Sequence, residues 1–410
     1  MLDRSTFAGV QSLRLLLGLT LLSVLLVCAG RAVMPWDKLF PDYICYWTAG
    51  TILASGQSPY DVDLQTRTQK EYGWDRATTG FGKYDFLPFY YPPWFGFLWV
   101  LLVPLGFEAA KFTWFFSNVE MALVAGYLLG HAAAVPRLLA ILFVPIFLFS
   151  FACILLGQTA IFMLFLIGLA WWLLEGHCDR SAGLVLAWLT IKPQLTAVLL
   201  VGILIWAIRQ RRWRVVQGFL IALALLCLAS SLIIPSWPIQ LWNATRQTPS
   251  PTEYYPWIGN AWFLVLRALG LQRWGLWIVY LAVAVPFFAA VLKAALDRTC
   301  SLRNLLTVSI LAAFIVAPYA RHYDFTVLSV AVLVLLGNRL SRLSGSALYL
   351  ALAILPYAQL LLLVYFKESY NPSGKFLLES TYFWIPVLLT VIWFVSGMSS
   401  KSPAPSGEPA

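Results

Sequence analysis

The sequence predicts an all-α, polytopic transmembrane helical bundle of about 11–13 membrane segments, with one long outer loop after the first span. Three observations predict it. Of the 410 residues, 60 % are apolar and only 11 % are charged, less than half of the ~25 % charge of a globular chain. The apolar residues come in long blocks separated by short polar punctuation, and ~20 such residues are what a helix needs to cross a bilayer. The net charge of +10 is carried by Lys and Arg near the ends of those blocks. That pattern fits cytoplasmic helix ends, and no basic patch with interleaved stacking aromatics suggests nucleic acid.

The first block runs from Leu15 to Ala29, flanked by Arg4, Arg14 and Arg31. A cleaved signal peptide is the competing reading, but an uncleaved anchor fits a chain in which so many spans follow. Residues 30–90 form the long polar stretch and hold seven of the eighteen acids: Asp37, Asp42, Asp61, Asp63, Glu71, Asp75 and Asp85. With a cytoplasmic N-terminus this loop lies outside. Further blocks fall near 93–106, 112–130, 138–154, 159–174, 183–208, 215–234, 274–292, 304–320, 325–337, 346–365 and 380–396. Arg209, Arg211, Arg212 and Arg214, then Lys293, Arg298 and Arg303, then Arg339 and Arg342 mark inner ends, so both termini are expected in the cytoplasm. Residues 1–398 then make one membrane domain, 235–273 a second outer loop rich in Trp and Pro, and 399–410 a Pro/Ser-rich tail expected to be disordered.

One block is ambiguous. Lys192-Pro193-Gln194 interrupts 183–208. If the block crosses once, Gln158 faces the cytoplasm and Arg137 and Arg180 lie outside. If it is a hairpin of two short helices, Lys192 sits at the outer turn and 93–106 dips in without crossing. Arg137 and Arg180 then lie inside and Gln158 outside, the version the positive-inside bias favours.

Charges within or beside apolar blocks carry the chemistry, because burying them is expensive. A central Lys costs roughly 2.5–3.5 kcal/mol on insertion scales, so Lys192 is expected to line a polar cavity, with snorkelling or a structural pair with an acid as the alternative. Arg321-His322-Tyr323-Asp324 lies between two short apolar blocks and reads equally as a turn with an Arg–Asp pair or as cations presented to an anion. Asp42, about a dozen residues after the first span, reads as a helix cap, as the start of an interfacial helix, or as a general base at the membrane surface. Asp61, in Pro59-Tyr60-Asp61, suits a loop bend as readily as a site. The six scattered cysteines offer neither a disulfide framework nor a metal site. Three dispersed histidines give no metal-ligand spacing, so no cofactor or metal is expected. Asn243-Ala244-Thr245 matches a glycosylation sequon, a triplet that also occurs by chance.

The ordered set of motifs resembles glycosyltransferase family 87. Asp42-Tyr43 with Tyr46-Trp47-x-Ala49-Gly50 and Gly56-Gln57-Ser58-Pro59-Tyr60-Asp61 resemble its first-loop signature. Tyr91-Pro92-Pro93, Gly157-Gln158, Ile191-Lys192-Pro193, Arg212-Trp213-Arg214 and Pro318 through Tyr323-Asp324 follow in order, so that the resemblance covers roughly 40–330. It implies a GT-C-type fold and transfer of a sugar, mannose first, from a polyprenyl phosphate donor to a glycolipid or glycan hydroxyl. It places the reaction on the outer face of the plasma membrane, with inversion. Asp42 would be the catalytic base. Tyr60, Asp61, Tyr91, Gln158, Lys192, Arg321, His322 and Asp324 would bind substrate, and the departing lipid phosphate needs such cations nearby. The alternative class is a transporter or lipid flippase, which would favour self-similar halves and matched charges within the spans; the sequence offers neither.

Overall fold

The computed structural model describes residues 4–33, 42–74, 87–247, 259–337, 343–370 and 380–395. Asp37, Asp75, Asp85, Arg339, Arg342 and the tail 399–410 lie outside the described residues. The described residues form helices and no strand. In chain order these are α1 (Arg4–Val33), α2 (Tyr43–Ala54), α3 (Val62–Glu71), α4 (Pro93–Val100), α5 (Phe107–Ala132), α6 (Arg137–Ile146), α7 (Leu148–Leu156) and α8 (Ala160–Glu175). They continue as α9 (Asp179–Trp188), α10 (Pro193–Arg209), α11 (Trp213–Ile233), α12 (Trp237–Gln247), α13 (Trp262–Ala268), α14 (Arg273–Leu296), α15 (Leu302–Val316), α16 (Ser329–Gly337), α17 (Leu343–Tyr370) and α18 (Trp384–Val395). Short 3₁₀ turns add Val103–Leu105, Leu189–Ile191, His322–Leu328 and Ser380–Phe383.

Among the described residues, four helices are long and apolar enough to cross a membrane, five if the bent pair α6–α7 counts as one span. The other apolar helical stretches, such as Leu17–Ala32 within α1 and Pro193–Arg209, are shorter, at 10–17 residues. The long helices keep apolar outward faces: Leu220, Leu225, Leu228 and Leu232 on α11 and Trp274, Ile278, Leu281 and Val285 on α14 are exposed, as lipid contact requires. The 55° bend between α6 and α7 falls at Pro145–Phe147, where a proline cannot continue the hydrogen-bond ladder.

Two ends of the bundle are distinguished by their bonds. At one, basic side chains cap the carbonyl ends of neighbouring helices, which the helix dipole favours. Arg303 donates to the Ala132 carbonyl at 2.8 Å, Arg209 to Leu296 at 3.1 Å, and Arg212 to Leu174 at 2.6 Å while pairing with Asp179. The start of α9 and the end of α10 therefore lie at the same end. The block 183–208 is the hairpin version: α9 and α10 are its arms and Lys192-Pro193 its turn. Each arm is shorter than the ~20 residues that cross a bilayer. Likewise the Tyr43 hydroxyl donates to the Phe107 carbonyl at 3.0 Å, so α4 dips in from the Asp42 end and returns to it before α5 begins.

The expected loops are not structureless. The stretch 30–90 contains α2 and α3, and 235–273 contains α12 and α13. Their aromatics pack inward: Tyr46 stacks on Trp99 with ring centroids 5.3 Å apart, and Tyr43 meets the same ring edge-on at 5.5 Å. Burial of the first-loop aromatics, more than propensity, holds α2 in place.

Candidate functional site

The site lies at the end of the bundle opposite the arginine caps, where four chain breaks meet: the entry to α2, the Gly157 turn, the Lys192-Pro193 turn and the segment 317–324. Asp42 occupies the residue before α2, but its carboxylate caps nothing there. Its backbone N–H donates to the Leu156 carbonyl at 3.3 Å, and its Oδ2 accepts from Gln158 Nε2. Gln158 reaches it because Gly157 closes α7 in the left-handed conformation, at φ 71°, which glycine adopts at little cost. The Trp114 indole fixes that turn by donating to the Gly157 carbonyl at 2.8 Å.

The other end of the Gln158 amide is held as well. The Tyr46 hydroxyl donates to Gln158 Oε1 at 3.1 Å and lies 3.2 Å from the Tyr91 hydroxyl. The Tyr60 hydroxyl donates to the Tyr91 carbonyl at 2.8 Å. Asp42 and Tyr46 are four residues apart, one helical turn, and so face the same neighbour. That spacing was the signal for Tyr46, to which the sequence reading gave no role of its own.

The cations come from the other two breaks. Lys192 Nζ donates to Asp324 Oδ1 at 2.5 Å with both side chains buried, and lies 4.9 Å from the centre of the Tyr323 ring. Asp324 Oδ2 accepts the Arg321 backbone N–H at 2.9 Å. Of the two sequence readings of 321–324, the Arg–Asp side-chain pair is thus replaced by a Lys192–Asp324 pair. The Arg321 guanidinium lies 5.6 Å from the Tyr323 ring centre on its own account, and the His322 ring meets Tyr323 edge-on at 5.2 Å. Around Asp42, enclosure by protein pushes the carboxyl above its ordinary 3.8; the Gln158 bond and the charges of Arg321, His322 and Lys192 pull it back in part.

The structure therefore brings together Asp42, Tyr91, Gln158, Lys192, Arg321, His322 and Asp324, with Tyr60 buttressing Tyr91 from behind. It does not bring Asp61 in: that carboxylate accepts the Leu64 N–H at 3.0 Å and caps α3.

Comparison with known protein families finds glycosyltransferase family 87 over residues 89–318, more than half of the 410 residues. Comparison with curated proteins and with solved structures finds no match. The matched stretch contains Tyr91, Gln158 and Lys192. Asp42 and Arg321–Asp324 lie beyond its two ends and are tied to it by the Gln158–Asp42 and Lys192–Asp324 bonds. The chain belongs to glycosyltransferase family 87 and is a multi-pass membrane glycosyltransferase.

Proposed function

We propose that the chain transfers a sugar, mannose first, from a polyprenyl phosphate donor to a hydroxyl of a glycolipid or glycan, by GT-C-type chemistry with Asp42 as general base. The observation that carries this reading is the Asp42 carboxylate, tied to Gln158 and acted on by Arg321, His322 and Lys192. The acceptor oxygen bonds to the anomeric carbon while its proton passes to Asp42. The carbon–oxygen bond to phosphate breaks, and its electron pair leaves with the polyprenyl phosphate. Attack without an enzyme-linked intermediate inverts the anomeric centre, so a β-linked donor gives an α-glycoside.

Arg321 and His322 offset the charge developing on the phosphate in a site partly shielded from water. Lys192, already bound to Asp324, contributes chiefly by holding 321–324 against the hairpin turn. Tyr91 and Tyr60 line and brace the entry side, and Asp61 serves α3 instead of the substrate. The arginine-capped end fits the cytoplasm by the positive-inside rule. The site then opens on the outer face of the plasma membrane, and both termini are cytoplasmic.

The test is Asp42→Asn, an isosteric change. Transfer from a radiolabelled polyprenyl phosphate sugar should fall by at least ~10²-fold, the lower range for a positioned base, while the variant still inserts and folds. Transfer at the wild-type rate would remove Asp42 from the mechanism.

A further inference from the structure

Asn260 lies in the short described segment between residue 258 and α13, and it is fully buried. Its backbone N–H donates to the Ala320 carbonyl at 2.8 Å, which places it directly beside Arg321 and His322. Gly259 makes this approach possible. At φ 144° it takes a conformation that side chains disfavour, and a Cβ there would come within 2.2 Å of Leu264 and 3.0 Å of the Ala320 carbonyl oxygen. The segment is thus pinned to the 320–322 turn by backbone alone.

The side chain of Asn260 does nothing for this arrangement. Neither its carboxamide oxygen nor its nitrogen has a hydrogen-bond partner. An asparagine offers two donors and two acceptor lone pairs, and leaving such a group unpaired in the interior is costly. A leucine of nearly the same shape would fill the space without that cost. A buried polar group that serves no bond of the fold calls for a partner from outside the chain. The neighbours say which: Arg321 and His322 suit a phosphate, and a carboxamide complements the hydroxyls of a sugar.

We propose that Asn260 is a donor-binding residue whose carboxamide hydrogen-bonds the glycosyl phosphate head, its Nδ2 donating to phosphate and its oxygen accepting from a sugar hydroxyl. This rests on the reading that the donor is a polyprenyl phosphate sugar. The test is Asn260→Leu in the full-length protein, measured as thermal midpoint and as donor kcat/KM with radiolabelled polyprenyl phosphate mannose, acceptor held in excess in extracted membrane lipid.

The expected result is a midpoint equal to or above wild type together with a donor kcat/KM lower by about 10- to 100-fold, the range for losing a hydrogen bond to a charged group. Unchanged donor kcat/KM overturns the inference. A lowered midpoint accompanying the loss also overturns it, since a structural partner or internal water would then be what Asn260 serves. Should the leucine variant fail to insert, Asn260→Ser shortens the side chain without adding apolar surface, and the same two readouts decide. If wild type itself transfers nothing from this donor while Asp42→Asn and wild type behave alike, the donor reading fails instead.

Discussion

Two aspartates of the first loop show how little separates a carboxylate that caps its helix from one that turns away from it. Asp42 and Asp61 both precede a helix. Asp61 has extended backbone, ψ 114°, and accepts the N–H three residues on, which is what a cap does. Asp42 has helical backbone, ψ −14°, so its carboxylate turns from the α2 end toward Gln158. No sequence rule separates the two, since the deciding contact comes from a residue 116 positions away. The family motif singled out Asp42; the backbone explains why it is available. Its raised pKa has a sign that can be checked. The folded protein holds a proton on Asp42 that the unfolded chain has released, so the group lowers stability as pH rises through that window. As a base it must be ionised, so the acid limb of transfer should have its midpoint above the ordinary 3.8. Gln158→Leu removes the bond that opposes this rise, and pH–rate profiles should show the limb moved further up. A limb left in place would separate Gln158 from the base.

At the scale of elements, the decisive packing is between α9 and α11. Gly183 and Gly218 let the two backbones touch: a Cβ on Gly183 would stand 2.1 Å from the Val215 oxygen, and one on Gly218 would stand 2.2 Å from the Arg180 oxygen. Small residues at such crossings are how membrane helices approach closely. Gly218→Val should therefore separate the pair and cost about 1–3 kcal/mol or more, read as a lower thermal midpoint in detergent. An unchanged midpoint would mean that the contact is dispensable. The hairpin that this contact supports was legible as an alternative, from Lys192-Pro193-Gln194 and the positive-inside bias, but not as a certainty. A three-residue interruption in an apolar block is too short to tell a turn from a kink. What settles it is the Asp179–Arg212 pair, which sets the first residue of α9 beside the start of α11. The loops misled in the opposite sense. The polar face of α3 hid a helix, and α2 shows no amphipathic pattern because it is buried on nearly all sides.

For the whole molecule, the fold class was readable because composition and block length are properties the bilayer imposes directly. The number of crossings was less so, because the helices around the site are short and broken, and hydropathy sees length rather than depth. The two ends of the bundle make opposite predictions for labelling. Cys178, exposed at the arginine-capped end, should react with an impermeant thiol reagent only after the membrane is opened. A cysteine replacing Gln57, exposed in the turn between α2 and α3, should react in intact cells. The reverse pattern would invert the proposed orientation.

The Lys192–Asp324 pair spans 132 positions of chain, and this bears on how the protein is made. A ribosome places the α9–α10 hairpin in the membrane well before Asp324 has been synthesised. During that interval the lysine at its turn has no acid to answer it, and a lone buried cation is held there only at considerable cost. The hairpin is thus committed early but secured late, when the 321–324 turn arrives and brings the carboxylate with it. The proposed site is complete, and that charge answered, only at this late step. A nascent chain cut short before Asp324 lacks that carboxylate and leaves Lys192 without its partner.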